Sequence, residues 1–111
     1  MRIWLIGAGE PGKQALRQFQ KSEDITVIVS AATERPAAVR DGVIARVDYV
    51  ETVTSVNINQ LARRVRPDVV LIDAASMREA LGRVTGGAAF SQSMIDEMAA
   101  ACDYPCLVIG S

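Results

Sequence analysis

The chain has 111 residues, of which 50% are hydrophobic and 23% are charged, with a net charge of −1. This composition predicts a single packed domain, 1–111, and excludes an intrinsically disordered chain. The near-neutral charge gives no electrostatic reason to expect nucleic acid or an anionic membrane as a partner. No apolar run approaches the roughly 18 residues of a membrane span. The N-terminus also lacks a secretory signal, so we expect a cytoplasmic protein.

Histidine is absent, and the two cysteines are Cys102 and Cys106. Their spacing matches neither the C-x-x-C redox motif nor a four-ligand zinc site. The lack of histidine also excludes the Ser-His and Cys-His arrangements of nucleophilic catalysis. We therefore predict two packed, reduced cysteines, no metal site and no catalytic residues.

The first twelve residues contain the strongest pattern in the chain. A continuous apolar run, 3–6, is typical of a buried strand. The glycines that follow it, Gly7, Gly9 and Gly12, form the motif G-x-G-x-x-G. An amphipathic segment from Gly12 to about Lys21 predicts a helix. Strand, glycine turn and helix thus occur in the order that the dinucleotide-binding fingerprint requires.

The rest of the chain alternates between strand patterns and helix patterns. Further strands are predicted at 25–29, 43–47, 69–72 and 106–109, and further helices at 37–40, 57–65, 76–84 and 91–102. Ser76 and Glu79 match the capping box that opens a helix. This alternation predicts an α/β fold, a Rossmann-like doubly wound parallel sheet of five strands in the order 3-2-1-4-5.

In such a sheet, a ligand binds at the carboxyl ends of strands one and four, where the strand order reverses. The loop after the fourth strand consists of Asp73, Ala74, Ala75 and Ser76, and it should face the glycine loop. Asp73 is the carboxylate that the sheet places at this point, although an aspartate at a strand end often caps backbone. For Ser76, a helix N-cap is favoured over a cofactor ligand.

The glycine motif, the β-α-β spacing and the strand at 67–71 resemble the NAD(P)-binding Rossmann superfamily. The N-terminal lobes of saccharopine-dehydrogenase-like and short-chain reductase-like proteins look similar, as do the nucleotide-sensing domains that regulate potassium uptake. The likeness covers nearly the whole chain as a pattern, and its specific part is the glycine motif. It implies a pyrophosphate site formed by Gly7, Ala8, Gly9, Glu10, Pro11 and Gly12. The alternative is a glycine-rich turn kept for packing alone.

After the second strand come Ser30 and Thr33, where the motif usually places an acidic residue that binds the ribose 2′-hydroxyl. A carboxylate there would repel a 2′-phosphate. No acid occurs until Glu34, and this absence, with Ser30 and Thr33 as donors and Arg35 close behind, favours NADP over NAD. The alternative is that Arg35 is an exposed loop residue and that the cofactor is weakly bound or lost. Asp48 and Tyr49 are expected to border the adenine, and a turn acid beside a half-buried tyrosine explains them equally well.

A dehydrogenase also needs a substrate pocket and a proton-transfer group. The superfamily usually supplies them from a second domain, which we expect to lie outside this chain, and no Tyr-x-x-x-Lys pair is present. The sequence therefore predicts an NAD(P)-binding domain, the cofactor lobe of an oxidoreductase without a complete active site. The alternatives are a non-catalytic nucleotide-sensing module and a ligand-free interaction domain. The open edge of the fifth strand is the expected contact for a homodimer or a partner chain.

Overall fold

The computed structural model of the chain describes residues 1–81 and 87–110, and the side chains within 1–78 and 92–110. Its strands are β1 (Arg2–Ile6), β2 (Thr26–Ala31), β3 (Tyr49–Val50), β4 (Val69–Asp73) and β5 (Cys106–Ile109). Its helices are α1 (Glu10–Phe19), α2 (Ala37–Arg40), α3 (Ile58–Val65), α4 (Ala74–Leu81) and α5 (Gly87–Ala101). Neighbouring strands are parallel in the order β3-β2-β1-β4-β5, which confirms the predicted Rossmann-like α/β fold.

The central strand, β1, alternates its side chains between two apolar clusters. Trp4 and Ile6 pack in the cluster beneath α3 and α5. Ile3 and Leu5 pack in the cluster beneath α1 and α2. A parallel strand that is covered on both faces is apolar along its whole length, which explains the continuous run in the sequence. The carboxyl end of this buried strand carries the glycine loop, so the core fixes where that loop begins.

The prediction of a strand at 43–47 is wrong, because β3 comes later in the chain and has two residues. Val43 and Ile44 belong to the turn after α2, where the N–H groups of both residues donate to the Ala38 carbonyl. Val47 is buried in the cluster beneath α1 and α2. These residues are apolar because they cover that cluster, and periodicity does not distinguish such a segment from a short strand.

Two helices beside the glycine loop begin earlier than predicted. α1 begins at Glu10, because Pro11 fits the first turn of a helix, where an N–H has no intrahelical partner. α4 begins at Ala74, directly after β4, so Ser76 lies inside the helix and its predicted N-cap role is wrong. The predicted end of this helix at 84 lies outside the described residues.

The end of α3 agrees with the sequence pattern. Arg66 takes the left-handed conformation, with φ of 54°, and Pro67 follows, so the helix cannot continue. The chain then enters β4 beside Asp68, whose carboxylate accepts the Arg2 N–H at 2.7 Å. Among the helices that the structure describes, none has the length and apolar character needed to cross a membrane.

Candidate functional site

A cleft of about 740 Å³ opens beside the glycine loop. One wall consists of the glycine loop (residues 7–12) and the start of α4. The other consists of residues 31–40, which we call the β2–α2 wall. The lining residues are Gly9, Glu10, Ala31, Ala32, Thr33, Arg35, Pro36, Ala37, Arg40 and Ser76. The cleft therefore lies where the strand order reverses, the position predicted for a ligand.

The structure gives a steric reason for glycine at each position of the motif. Gly7 has φ of 90°, a conformation that L side chains rarely adopt. A Cβ on Gly12 would lie 2.8 Å from the Gly7 carbonyl oxygen and 2.9 Å from Asp73 Oδ2. A Cβ on Gly9 would lie 3.1 Å from Ser76 Cβ. The motif thus allows α1 to approach both β1 and the start of α4.

The carboxylate of Asp73 joins the glycine loop to α4. Its Oδ2 accepts the N–H groups of Gly9 at 3.0 Å and Gly12 at 2.9 Å. Its Oδ1 accepts the N–H of Ser76 at 3.0 Å, and the side chain is fully buried, with 0% exposed. Asp73 therefore caps the N-termini of two helices, whose dipoles favour its negative charge. The predicted contact between the two loops is confirmed, and this carboxylate makes it.

Few N–H groups in the first turn of α1 are left for a ligand. Pro11 has no N–H, and the N–H of Lys13 donates to the Gly9 carbonyl at 2.8 Å. The N–H groups of Gly9 and Gly12 donate to Asp73. Within this described turn, the N–H of Glu10 is therefore the one without a protein acceptor. The pyrophosphate role of the loop stays a prediction, and its main donors point at a side chain.

The β2–α2 wall presents polar side chains to the cleft. Thr33, Arg35 and Arg40 line it and are exposed. The predicted Ser30 does not line it, since its hydroxyl is buried and accepts the Trp4 indole N–H at 2.9 Å. Sequence reasoning missed Arg40. The short helix predicted directly after the second strand is the signal that points to it, because that helix starts at the carboxyl edge of the sheet.

Asp48 and Tyr49 lie outside this cleft. The Asp48 carboxylate accepts the Val29 N–H at 2.7 Å, and its own N–H donates to the Val29 carbonyl at 2.9 Å. This pair of bonds holds the chain against β2 just before β3 begins. Tyr49 lines a separate small crevice with Trp4 and Leu61. A contact of either residue with adenine stays a prediction, and both have protein partners that explain their positions.

Lys13 holds α2, and with it the β2–α2 wall, against α1. Its side chain is buried, and its Nζ lies 2.6 Å from Asp41 Oδ2 and 2.7 Å from Glu10 Oε1. Hydrogen bonds to Asp41 and then Glu10 raise the pKa of Lys13, and Lys13 lowers the pKa of Asp41. The Ala38 N–H also donates to the Ala8 carbonyl at 3.0 Å. Because Asp41 is the C-cap residue directly after α2, these contacts position the wall.

The remaining predicted residues contribute to packing. Ala74 is buried in the cluster beneath α3 and α5, and Ala75 is half-buried. Cys102 and Cys106 are free thiols that pack against the same cluster, as predicted. Burial, and then the neighbouring Cys102, raises the pKa of the Cys106 thiol to about 11, which makes it a poor nucleophile at neutral pH. Among the described residues, no three His, Cys, Asp or Glu side chains are grouped to hold a metal ion.

The predicted partner contact concerns β5, which forms one edge of the sheet. Leu107 lies on this strand with 60% of its surface exposed. Its neighbours Cys106 and Val108 pack instead against the cluster beneath α3 and α5. An exposed leucine on an open edge agrees with a contact there, and the homodimer or partner chain stays a prediction.

Comparisons of the chain with protein-family models, curated proteins and solved structures found no match. The fold is therefore assigned from the strand order and the parallel pairing of the sheet. The candidate site is assigned from the cleft, from the residues that line it and from the hydrogen bonds of Asp73 behind it.

Proposed function

We propose that this domain binds an adenine nucleotide with a phosphate on its ribose, NADP being the predicted one, in the cleft beside the glycine loop. The observation that carries the proposal is that Arg35 and Arg40 line the same cleft as Gly9. Guanidinium groups bind phosphate through paired hydrogen bonds. The segment at the end of β2, 30–33, contains no carboxylate that would repel such a phosphate.

On this proposal the chain is a member of the NAD(P)-binding Rossmann superfamily and acts as the cofactor lobe of an oxidoreductase. The ionisable side chains that line the cleft are Glu10, Arg35 and Arg40, whereas Glu34 of the β2–α2 wall is not among the lining residues. Glu10 is paired with Lys13, and the two arginines are suited to binding charge and not to proton transfer. The lobe therefore supplies cofactor binding, and the reacting groups come from elsewhere. A nucleotide-sensing module would use the same cleft without hydride transfer.

Titration calorimetry with NADPH and NADH tests the proposal, together with thermal unfolding in the presence of each ligand. A ligand that binds only the folded chain raises its unfolding midpoint. We expect NADPH to bind more tightly than NADH, and Arg35→Ala or Arg40→Ala to reduce this preference about tenfold. Arg63→Ala is the matched control, since Arg63 is exposed on α3 and does not line the cleft.

Two results would contradict the proposal. One is equal affinity of the wild-type chain for NADPH and NADH, and the other is a preference that neither cleft substitution changes. A hydride-transfer assay then separates the oxidoreductase lobe from the sensing module. The lobe supports turnover once its catalytic partner or domain is added, whereas the sensor binds the same ligand without turnover.

A further inference from the structure

The negative charge at the start of α1 comes from a side chain of the protein itself. The N–H groups of Gly9 and Gly12 converge on Asp73 Oδ2 at 3.0 and 2.9 Å. In a phosphate-binding glycine loop, groups of this kind point at the ligand instead. With 0% of its surface exposed, Asp73 is enclosed by the elements that it joins. These two N–H groups thus form an anion site that a carboxylate of the protein already occupies.

We propose that Asp73 is a specificity-determining residue that excludes the 5′-diphosphate of a nucleotide from the glycine loop. The cleft then holds its ligand through the phosphate on the ribose, at the β2–α2 wall. This inference, which rests on the proposed function, names the ligand class as nucleosides with a 2′-phosphate. A second nucleotide, joined to such a nucleoside through the 5′-diphosphate as in NADPH, adds little to its affinity.

Both ways of placing a diphosphate on the loop are unfavourable. A phosphate that displaced Asp73 would leave a buried carboxylate without its donors, including the Ser76 N–H at 3.0 Å. A phosphate that bound in front of the loop would approach the like charge behind Gly9, where a Cβ would already lie 3.4 Å from Asp73 Oδ2. It would also find two of the loop donors turned away from it.

The positively charged side chains that are available to a ligand lie on the β2–α2 wall, across the cleft from the glycine loop. Lys13 lies in α1, but its Nζ is taken by Glu10 at 2.7 Å and Asp41 at 2.6 Å. Arg35 and Arg40 belong to the β2–α2 wall and line the cleft with exposed side chains. The positive charge available to a ligand therefore lies where the ribose phosphate would bind, and the glycine loop adds a carboxylate of its own.

A ligand series on the wild-type chain tests this inference without any substitution. Adenosine 2′-monophosphate, NADPH, ADP and NADH are titrated by calorimetry at one salt concentration. We expect adenosine 2′-monophosphate and NADPH to bind within about threefold of each other, and ADP and NADH to bind at least about tenfold more weakly. NADPH binding more than about tenfold tighter than adenosine 2′-monophosphate would overturn the inference and leave the proposed function standing. Failure of both 2′-phosphorylated ligands to bind would overturn both.

Asp73→Asn provides the second measurement, because the amide keeps a carbonyl acceptor and removes the charge. We expect NADPH to gain about tenfold in affinity relative to adenosine 2′-monophosphate. Asp68→Asn is the matched control: its carboxylate also accepts a strand N–H, that of Arg2 at 2.7 Å, but lies outside the cleft, so the ratio should not change. An unchanged ratio in folded Asp73→Asn would overturn the inference. If this variant does not fold, the wild-type series decides.

Discussion

The glycine loop and the β2–α2 wall face the same cleft, but they direct their polar groups differently. In the loop, the N–H groups of Gly9 and Gly12 turn inward to a buried carboxylate. In the wall, Arg35 and Arg40 extend from the protein and line the cleft. The loop has the recognisable motif, whereas the wall has the groups that are free to bind. A binding motif thus shows where donors converge, and its hydrogen-bond partners show whether a ligand can use them.

The largest expected effect tests whether the loop is structural. Asp73→Ala leaves three backbone N–H groups in the first turns of α1 and α4 without an acceptor. We expect the free energy of unfolding to fall by roughly 3 to 5 kcal/mol. Urea unfolding followed by Trp4 fluorescence measures it. Asp68→Ala, which removes the acceptor of one exposed bond from Arg2, should cost about 1 kcal/mol. Equal losses would show that Asp73 does not join the two helices.

The next effect concerns the close approach of α1 to β1. In Gly12→Ala, the new Cβ would lie 2.8 Å from the Gly7 carbonyl oxygen, so backbone must move. We expect a loss of about 2 kcal/mol or more in the free energy of unfolding. Gly42→Ala is the control, because its φ of 76° is strained for alanine but its Cβ meets nothing within 4 Å; it should cost about 1 kcal/mol. A loss for Gly12→Ala no larger than the control would contradict the packing explanation.

The attachment of the β2–α2 wall should depend on pH. Asp41 has a pKa below its ordinary value of 3.8, so its contribution to stability is present above that value and is lost as pH falls through the lower one. Lys13 has a pKa above its ordinary value of 10.5, so its contribution is present below 10.5 and is lost as pH rises further. Lys13→Met should therefore lower the unfolding midpoint between these two pH limits.

Measurement of thermal midpoints across pH checks this prediction. The difference between wild type and Lys13→Met should be constant at intermediate pH and shrink in strong acid. Lys21→Met is the matched control, since Lys21 is exposed and not among the ion-paired lysines of the described residues. A difference that persisted unchanged in strong acid would show that Lys13 acts through packing alone and not through its pair with Asp41.

The smallest expected effect completes the comparison of the two walls. Arg35→Ala and Arg40→Ala should each change the free energy of unfolding by no more than about 0.5 kcal/mol, because exposed side chains make few contacts. Urea unfolding of the two variants measures this directly. A loss of more than about 1 kcal/mol in either variant would mean that the wall also uses its charges for folding. The contrast between the walls would then disappear.

Much of the fold is present in the sequence because parallel strands buried on both faces are apolar without interruption. The runs at 3–6, 69–72 and 106–109 all form strands at those positions. The helix at 37–40 also has the bounds that the pattern predicts. The third strand, with two exposed residues, leaves no such pattern, whereas the apolar turn at 43–47 imitates one. An apolar run therefore indicates burial and not a strand as such, so the apolar turn is mistaken for a strand and the short exposed strand is missed.

For the site, the sequence by itself determined the strand order and the glycine turn, and it predicted the position of the cleft. These follow from local rules: which residues tolerate a positive φ, and which periodicity a buried element requires. Only the tertiary structure decided what the glycine loop binds, because the acceptor Asp73 lies 61 residues from Gly12 in the chain and reaches it through the pairing of β1 with β4. The sequence shows which backbone N–H groups are available as donors, but only the folded chain shows which acceptor each of them meets.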